Sequence, residues 1–135
     1  MNETVNFKLK KPESNEYVNV QDLNDNCDIV DAEMKKHKDA IDKHYAAPIL
    51  VVLKASDWSG DAAPYSQTSM VEGITDADEP MMVSVLSDRA SETVQKAYMK
   101  AYGIVASGTA TTGNGAVTFR AYKKPVTDIT VGLKF

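Results

Sequence analysis

The feature that most constrains this chain is a heptad stripe, between Asp22 and His44, that ends shortly before a proline. Apolar or seam-compatible residues recur there at spacings of 4, 3, 4, 3, 4 and 3, and charged residues occupy most of the other positions. The seam residues are Leu23, Cys27, Val30, Met34, His37, Ile41 and His44. This periodicity over about three heptads is typical of a short coiled-coil helix. We expect the helix to end near Ala46, because Pro48 disfavours helical geometry in the residue before it.

The narrowness of the seam favours contact between identical helices. A helix that packs on a broad globular core normally carries a wider apolar stripe. We therefore predict a parallel coiled coil over residues 22–46, with an amphipathic helix packed on its own domain as the alternative. Asp22 is the expected N-cap, since a short carboxylate accepts bonds from free backbone N–H groups. The thiol of Cys27 is expected to be a buried seam residue.

The residues before the helix differ in composition from those after it. Residues 1–21 are polar, with isolated apolar residues that alternate over a short stretch. This pattern predicts a short strand or an extended arm, too brief to build a core, that docks on a partner. The candidate docking residues are Val5, Phe7, Leu9, Pro12 and Tyr17. After the helix, residues 47–135 open with Ile49–Leu53, an apolar run rich in β-branched residues.

Residues 47–135 are expected to form a small, mostly antiparallel β domain with one helix. Strands are predicted at Ile49–Leu53, Pro64–Ile74, Met81–Leu86, Ile104–Ser107, Val117–Tyr122 and Ile129–Phe135. The helix is predicted over Arg89–Tyr102, with Ser87 or Asp88 capping its start and Gly103 its end. The expected fold class is α+β, with an extended N-terminal arm, a short parallel coiled-coil helix and a β-rich terminal domain. The pattern leaves open whether the domain is a single sheet or a sandwich.

Composition argues against several classes of function. The formal net charge is −4, whereas nucleic-acid-binding domains normally carry a basic face. The single cysteine excludes an intrachain disulfide and a cysteine-cluster zinc site. No apolar run approaches the roughly 20 residues that cross a bilayer, and no signal-peptide pattern is visible. We expect a protein made in the cytoplasm, with no cofactor, no metal, no nucleic-acid partner and no membrane insertion.

The chain carries none of the common catalytic motifs and only a few candidate catalytic residues. The chain contains no nucleophile elbow, dinucleotide-binding glycine motif or phosphate loop, so we expect no enzymatic activity. Asp76 and Asp78 are candidate general acid–base residues, and a solvated turn is the simpler interpretation. Trp58 and Tyr65 are candidate glycan contacts, because aromatic faces can stack on sugar rings. A single tryptophan in a small β domain is more often a core or rim residue.

Two longer stretches carry further motifs. The first combines Phe7–Pro12 with the stretch from Tyr17 to Asp31, where Leu23, Asn24, Asn26, Asp28 and Asp31 form a Leu-Asn-x-Asn-x-Asp-x-hydrophobic-Asp pattern. The second includes Leu53, Ala55, Trp58, Pro64–Gln67, Gly73, Ile74, Val94–Tyr102 and Lys124–Val131. Together they resemble the tail-fibre and baseplate-appendage proteins of phages and of phage tail-like particles (R-type bacteriocin-like) of Gram-positive bacteria.

This resemblance implies a structural virion component: a short homotrimeric tail fibre or baseplate appendage. Its N-terminal arm would attach to other tail or baseplate proteins, and the β-rich domain would project. The implied location is the virion tail or baseplate, or a phage tail-like particle. The trimer comes from the resemblance, because the seam residues do not select two strands over three. The alternative is a carbohydrate-binding, receptor-recognition tip that contacts a host cell-surface glycan.

Overall fold

Helix α1 spans Val20–Tyr45 and includes every residue of the predicted seam. The computed structural model describes residues 1–135 and divides them into two units, Met1–Tyr45 and Ala46–Phe135. The helix begins earlier than expected because Asn19, and not Asp22, caps it. The side-chain oxygen of Asn19 accepts a hydrogen bond from the backbone N–H of Asp22 at 2.8 Å.

The N-terminal residues form a small hairpin in place of the expected extended arm. Strands β1 (Asn2–Glu3) and β2 (Lys10–Lys11) pair antiparallel, with Asn2 opposite Lys11. The chain turns between them, and the backbone N–H of Thr4 donates to the carbonyl of Leu9 at 2.9 Å. The short strand that the pattern allowed is present in this hairpin, whereas the extended docking arm over residues 1–21 is not confirmed. The side chains that hold the hairpin lie 12 to 16 residues further along, where a local pattern does not reveal them.

The second unit contains two three-stranded antiparallel sheets and one α-helix. The strands are β3 (Ile49–Leu53), β4 (Tyr65–Met70), β5 (Met81–Ser84), β6 (Thr109–Gly113), β7 (Ala116–Ala121) and β8 (Ile129–Lys134), and the helix is α2 (Glu92–Ala106). One sheet has the order β3-β8-β5 and the other β4-β7-β6. The α+β class and the antiparallel pairing are confirmed.

The core of this unit is built from alternate residues of β3, β7 and β8 and one face of α2. Period-two burial is expected for strands with one face on a core. The buried side chains of β3, β7, β8 and α2 are Val51, Leu53, Val117, Phe119, Ala121, Ile129, Val131, Leu133, Tyr98, Ala101 and Val105. The hydroxyl of Tyr98 donates to the carbonyl of Thr130 at 2.7 Å, so this buried phenol is hydrogen-bonded.

Helix α2 begins and ends later than expected. Ser91 caps it by accepting a hydrogen bond from the backbone N–H of Val94 at 3.3 Å, in place of Ser87 or Asp88. Gly103 lies inside the helix and does not end it.

The segment predicted as a strand, Ile104–Ser107, is mostly the last turn of α2. Its β-branched residues suggest a strand, but Val105 shares the buried face of the helix with Tyr98 and Ala101. Burial on that face outweighs the weak intrinsic preference of valine and isoleucine for strands.

Candidate functional site

The candidate site is helix α1 together with the hairpin that docks on its first turns. The ammonium group of Lys10 lies between two carboxylates of the helix, 2.8 Å from Asp22 Oδ1 and 2.6 Å from Asp25 Oδ2. The side-chain amide of Asn26 bonds to the backbone of Lys10. Asp22 is buried by this contact. The hairpin is therefore fixed to α1 by charge-assisted hydrogen bonds.

These contacts change the proton affinity of the groups involved. Hydrogen bonds to Asp22 and Asp25 raise the pKa of Lys10 well above its usual range. The hydrogen bonds from Lys10 and then Gln21 lower the pKa of Asp25. Both shifts favour the charged forms, so the ion pairs persist throughout the neutral pH range.

The hairpin and the predicted seam occupy different sides of α1. The hairpin covers the side that contains Asp22, Asp25 and Asn26, on which Ile29 is also partly buried. Successive helical residues are rotated by about 100°, so this side lies roughly a quarter turn from the seam. The hairpin therefore leaves the seam uncovered.

The seam is exposed along its whole length. Its large apolar side chains are 42 to 66% exposed: Leu23, Val30, Met34 and Ile41. Cys27, His37 and His44 are exposed as well. Exposed apolar residues in a continuous row, at heptad spacing, mark an interaction face more often than a solvated one.

Beyond Glu33 the helix has no buried residue. Every residue from 34 to 45 is exposed, which corresponds to about three helical turns. Ion pairs link successive turns of this segment, such as Lys35 with Asp39 at 2.6 Å. Exposed pairs of this kind stabilise a helix only weakly, because solvent screens the charges. The second half of α1 therefore lacks the packing that normally stabilises a helix in water.

The predicted docking residues divide into two groups. Val5, Phe7 and Tyr17 are exposed on the hairpin and on the segment that follows it. Leu9 and Pro12 are partly buried beside Lys10. Of the five, only Val5, Phe7 and Tyr17 therefore expose about half or more of their surface to a partner.

The predicted glycan contacts do not form an open platform. The ring of Trp58 is only 5% exposed and belongs to the core of the second unit, so its face cannot stack on a sugar. Tyr65 is partly buried, and the ammonium group of Lys124 lies 4.9 Å from its ring centroid. The glycan-contact prediction was wrong for Trp58, because its large apolar surface is buried where the domain needs it for packing.

The acidic candidates lie at a cleft of about 510 Å³ in the second unit. Asp76, Asp78 and Glu79 line the cleft together with core residues such as Phe119. Oδ2 of Asp78 accepts hydrogen bonds from the backbone N–H and the hydroxyl of Thr75, at 2.9 and 3.2 Å. This carboxylate therefore stabilises its own turn, as the simpler interpretation anticipated. No group of three His, Cys, Asp or Glu side chains is arranged to hold a metal ion.

Two further observations concern the chain as a whole. Neither helix combines the length and the apolar character that crossing a membrane requires. Comparisons with protein-family models, with curated proteins and with solved structures returned no match. The resemblance to tail-fibre proteins therefore stays a prediction that rests on the sequence motifs given above.

Proposed function

We propose that this protein is a homo-oligomeric structural component of a phage tail or tail-like particle, in which α1 forms a parallel, trimeric coiled coil. The observation that carries the proposal is the fully exposed second half of α1, with Met34 and Ile41 continuing the seam of Leu23 and Val30. Fully burying one large aliphatic side chain contributes about 1.5–3 kcal/mol. Association of several copies of α1 supplies this burial at successive heptads.

The tail assignment rests on the sequence motif around the start of α1, and the contacts of that motif support it. Within this motif, the side chain of Asn26 hydrogen-bonds to the hairpin, and Leu23 is the first residue of the seam. The motif therefore lies where a segment suited to attachment meets a segment suited to oligomerisation. In this arrangement the hairpin residues Val5, Phe7 and Tyr17 contact a neighbouring tail or baseplate protein, and the β-rich unit projects.

The first experiment measures the mass of the full-length chain in solution by light scattering. We expect a trimer for the natural sequence and a monomer for Val30→Asp, because carboxylates gathered on the axis of a coil lose hydration and repel one another. The matched control is Ala32→Asp, which places the same charge on the opposite, exposed side of α1. A Val30→Asp variant with the mass of the natural chain would refute the coiled coil.

A second experiment tests the location in the particle. Antibodies against the β-rich unit, visualised by immunoelectron microscopy, should label one end of purified tails or tail-like particles from the producing bacterium. Particles that contain the protein by mass spectrometry yet show label along the sheath, or particles without the protein, would contradict an appendage at the tail tip or baseplate.

A further inference from the structure

The outward face of the β3-β8-β5 sheet is apolar, although it is exposed. Leu50 lies opposite Gly132 in the register of β3 and β8, and Gly132 lies opposite Val83 of β5. The neighbouring row places Val52 opposite Thr130. The large side chains on the two edge strands of this face, Leu50, Val52 and Met81, are 55 to 68% exposed.

The space above Gly132 on this face is filled by neighbouring side chains. A β-carbon at this position would come within 2.9 Å of the side chains of Pro48, Val83 and Val85. These side chains, one from β5 and two from residues next to the ends of β3 and β5, therefore pack over the middle of β8. The charged residue of β8 on this face is Lys134, whose ammonium group bonds to the carbonyl of Ala46.

The other sheet has an outward face of the opposite character. Two of its three outward rows consist of Ser66, Arg120 and Thr109, and of Thr68, Thr118 and Thr111, and only the row at the end of β4, with Met70, Ala116 and Gly113, is apolar. The hydroxyls of Thr68 and Thr118 are 2.9 Å apart, and Arg120 donates to Thr111 at 3.1 Å. An antiparallel sheet with one solvated face normally carries such polar residues there. The contrast indicates that the β4-β7-β6 face is suited to solvent and that the β3-β8-β5 face is suited to contact with another apolar surface.

The short connection between α1 and β3 indicates which molecule contacts this apolar face. Only Ala46, Ala47 and Pro48 separate the two elements, so β3 begins within about 14 Å of the end of its helix. Helices that pack in a coil are about 8–10 Å apart. Oligomerisation through α1 therefore holds the β3 strands of all copies within a short distance of one another, at a high effective concentration.

We propose that the apolar face of the β3-β8-β5 sheet, centred on Leu50 and Val52, packs against the β-rich units of other copies of this chain and extends the oligomer beyond the coil. This inference rests on the proposed function, because the coil brings the copies together. The β-rich units then form a joined end of the assembly instead of independent domains on flexible connections.

The test compares the concentration at which full-length variants dissociate, measured by light scattering over a dilution series. Leu50→Lys and Val52→Lys place a charge on the apolar face at exposed positions, and Thr68→Lys is the control on the outward face of the other sheet. Thr68, like Leu50, lies on an edge strand. We expect Leu50→Lys to raise the dissociation concentration at least about tenfold, since a desolvated unpaired charge is costly. Circular dichroism should show unchanged secondary structure in all three variants.

The outcomes separate this inference from the proposed function. If Val30→Asp dissociates the oligomer while Leu50→Lys and Val52→Lys behave like Thr68→Lys, the coil stands and the sheet contact is overturned. If Leu50→Lys dissociates an oligomer that Val30→Asp leaves intact, the sheet contact stands and the coil is overturned. A natural chain that is monomeric at every concentration would overturn both.

Discussion

The side-chain amide of Asn26 makes two hydrogen bonds to the backbone of Lys10. Its oxygen accepts from the N–H at 2.7 Å, and its nitrogen donates to the carbonyl at 2.8 Å. Lys10 therefore bonds to α1 through its backbone as well as through its ammonium group. The amide of Asn26 satisfies the backbone groups on the edge of β2, in the way that a neighbouring strand would.

Removing the ammonium group of Lys10 should release the hairpin from α1. In Lys10→Met the carboxylate of Asp22 loses its partner in a buried position, which is unfavourable. We expect the amide of Thr4, which bonds to the carbonyl of Leu9, to exchange with deuterium at least about tenfold faster.

The matched control for this prediction is Lys11→Met. Lys11 is the next residue of β2 and is exposed. Equal exchange rates at Thr4 in the two variants would show that the ion pairs do not hold the hairpin.

The docking of the hairpin should depend on pH. The lowered pKa of Asp25 means that its contribution is fully present above about pH 4 and is lost as the pH falls through the lowered value. The raised pKa of Lys10 means that its contribution is present below about pH 10 and is lost only at higher pH. NMR amide shifts of β2 should therefore be constant between pH 5 and 7 and change below about pH 4. Shifts in Lys10→Met that change over the same acidic range would contradict this origin.

The sequence predicted the elements whose pattern is local. The 3.5-residue spacing located α1, and the β-branched run located β3, because each pattern repeats within one element. The hairpin was missed because Lys10 and Asn26 are 16 residues apart, and only the folded chain brings them together. Local cues also misplaced the end of α2, where burial of Val105 extends the helix past Gly103.

The sequence did not show which face of β3 would be exposed. The continuous run Ile49–Leu53 indicates a strand, but it does not show which side chains lie on the core. Val51 and Leu53 are buried, whereas Leu50 and Val52 are exposed. Such a run is normally buried on both faces. The exposure of Leu50 and Val52 in such a run is the observation from which we propose a contact between copies of the β-rich unit.

Two glycines at the end of α2 should respond in opposite directions to replacement by alanine. A β-carbon at Gly108 would lie 1.9 Å from the carbonyl oxygen of Arg120, so Gly108→Ala forces the backbone of β7 to move. We expect a loss of about 1–3 kcal/mol in the free energy of unfolding. At Gly103, inside the helix, a β-carbon meets nothing within 4 Å. Gly103→Ala should therefore stabilise the protein by roughly 0.5–1 kcal/mol.

Chemical denaturation of both variants measures these changes directly. If Gly103→Ala were destabilising, α2 would not extend beyond Tyr102 as it does in the structure. If Gly108→Ala were neutral, the close approach of the α2–β6 connection to β7 would be wrong.

The single cysteine gives a test of helix orientation within the oligomer. In a parallel coil the thiols of Cys27 from neighbouring copies lie at the same level of the seam, so mild oxidation should link two chains. In an antiparallel coil paired about the middle of the seam, Cys27 lies near Ile41 of the other copy, about 20 Å from the second thiol. The parallel arrangement should give a linked dimer on a non-reducing gel at low micromolar concentration. One chain of each trimer would remain unlinked, because a thiol forms a disulfide with only one partner.

The control is the double variant Cys27→Ser with Ala32→Cys, which moves the thiol to the opposite side of α1 and should link far more slowly. Equal rates for the two proteins would mean that the links come from random collisions and that α1 does not form a parallel coil.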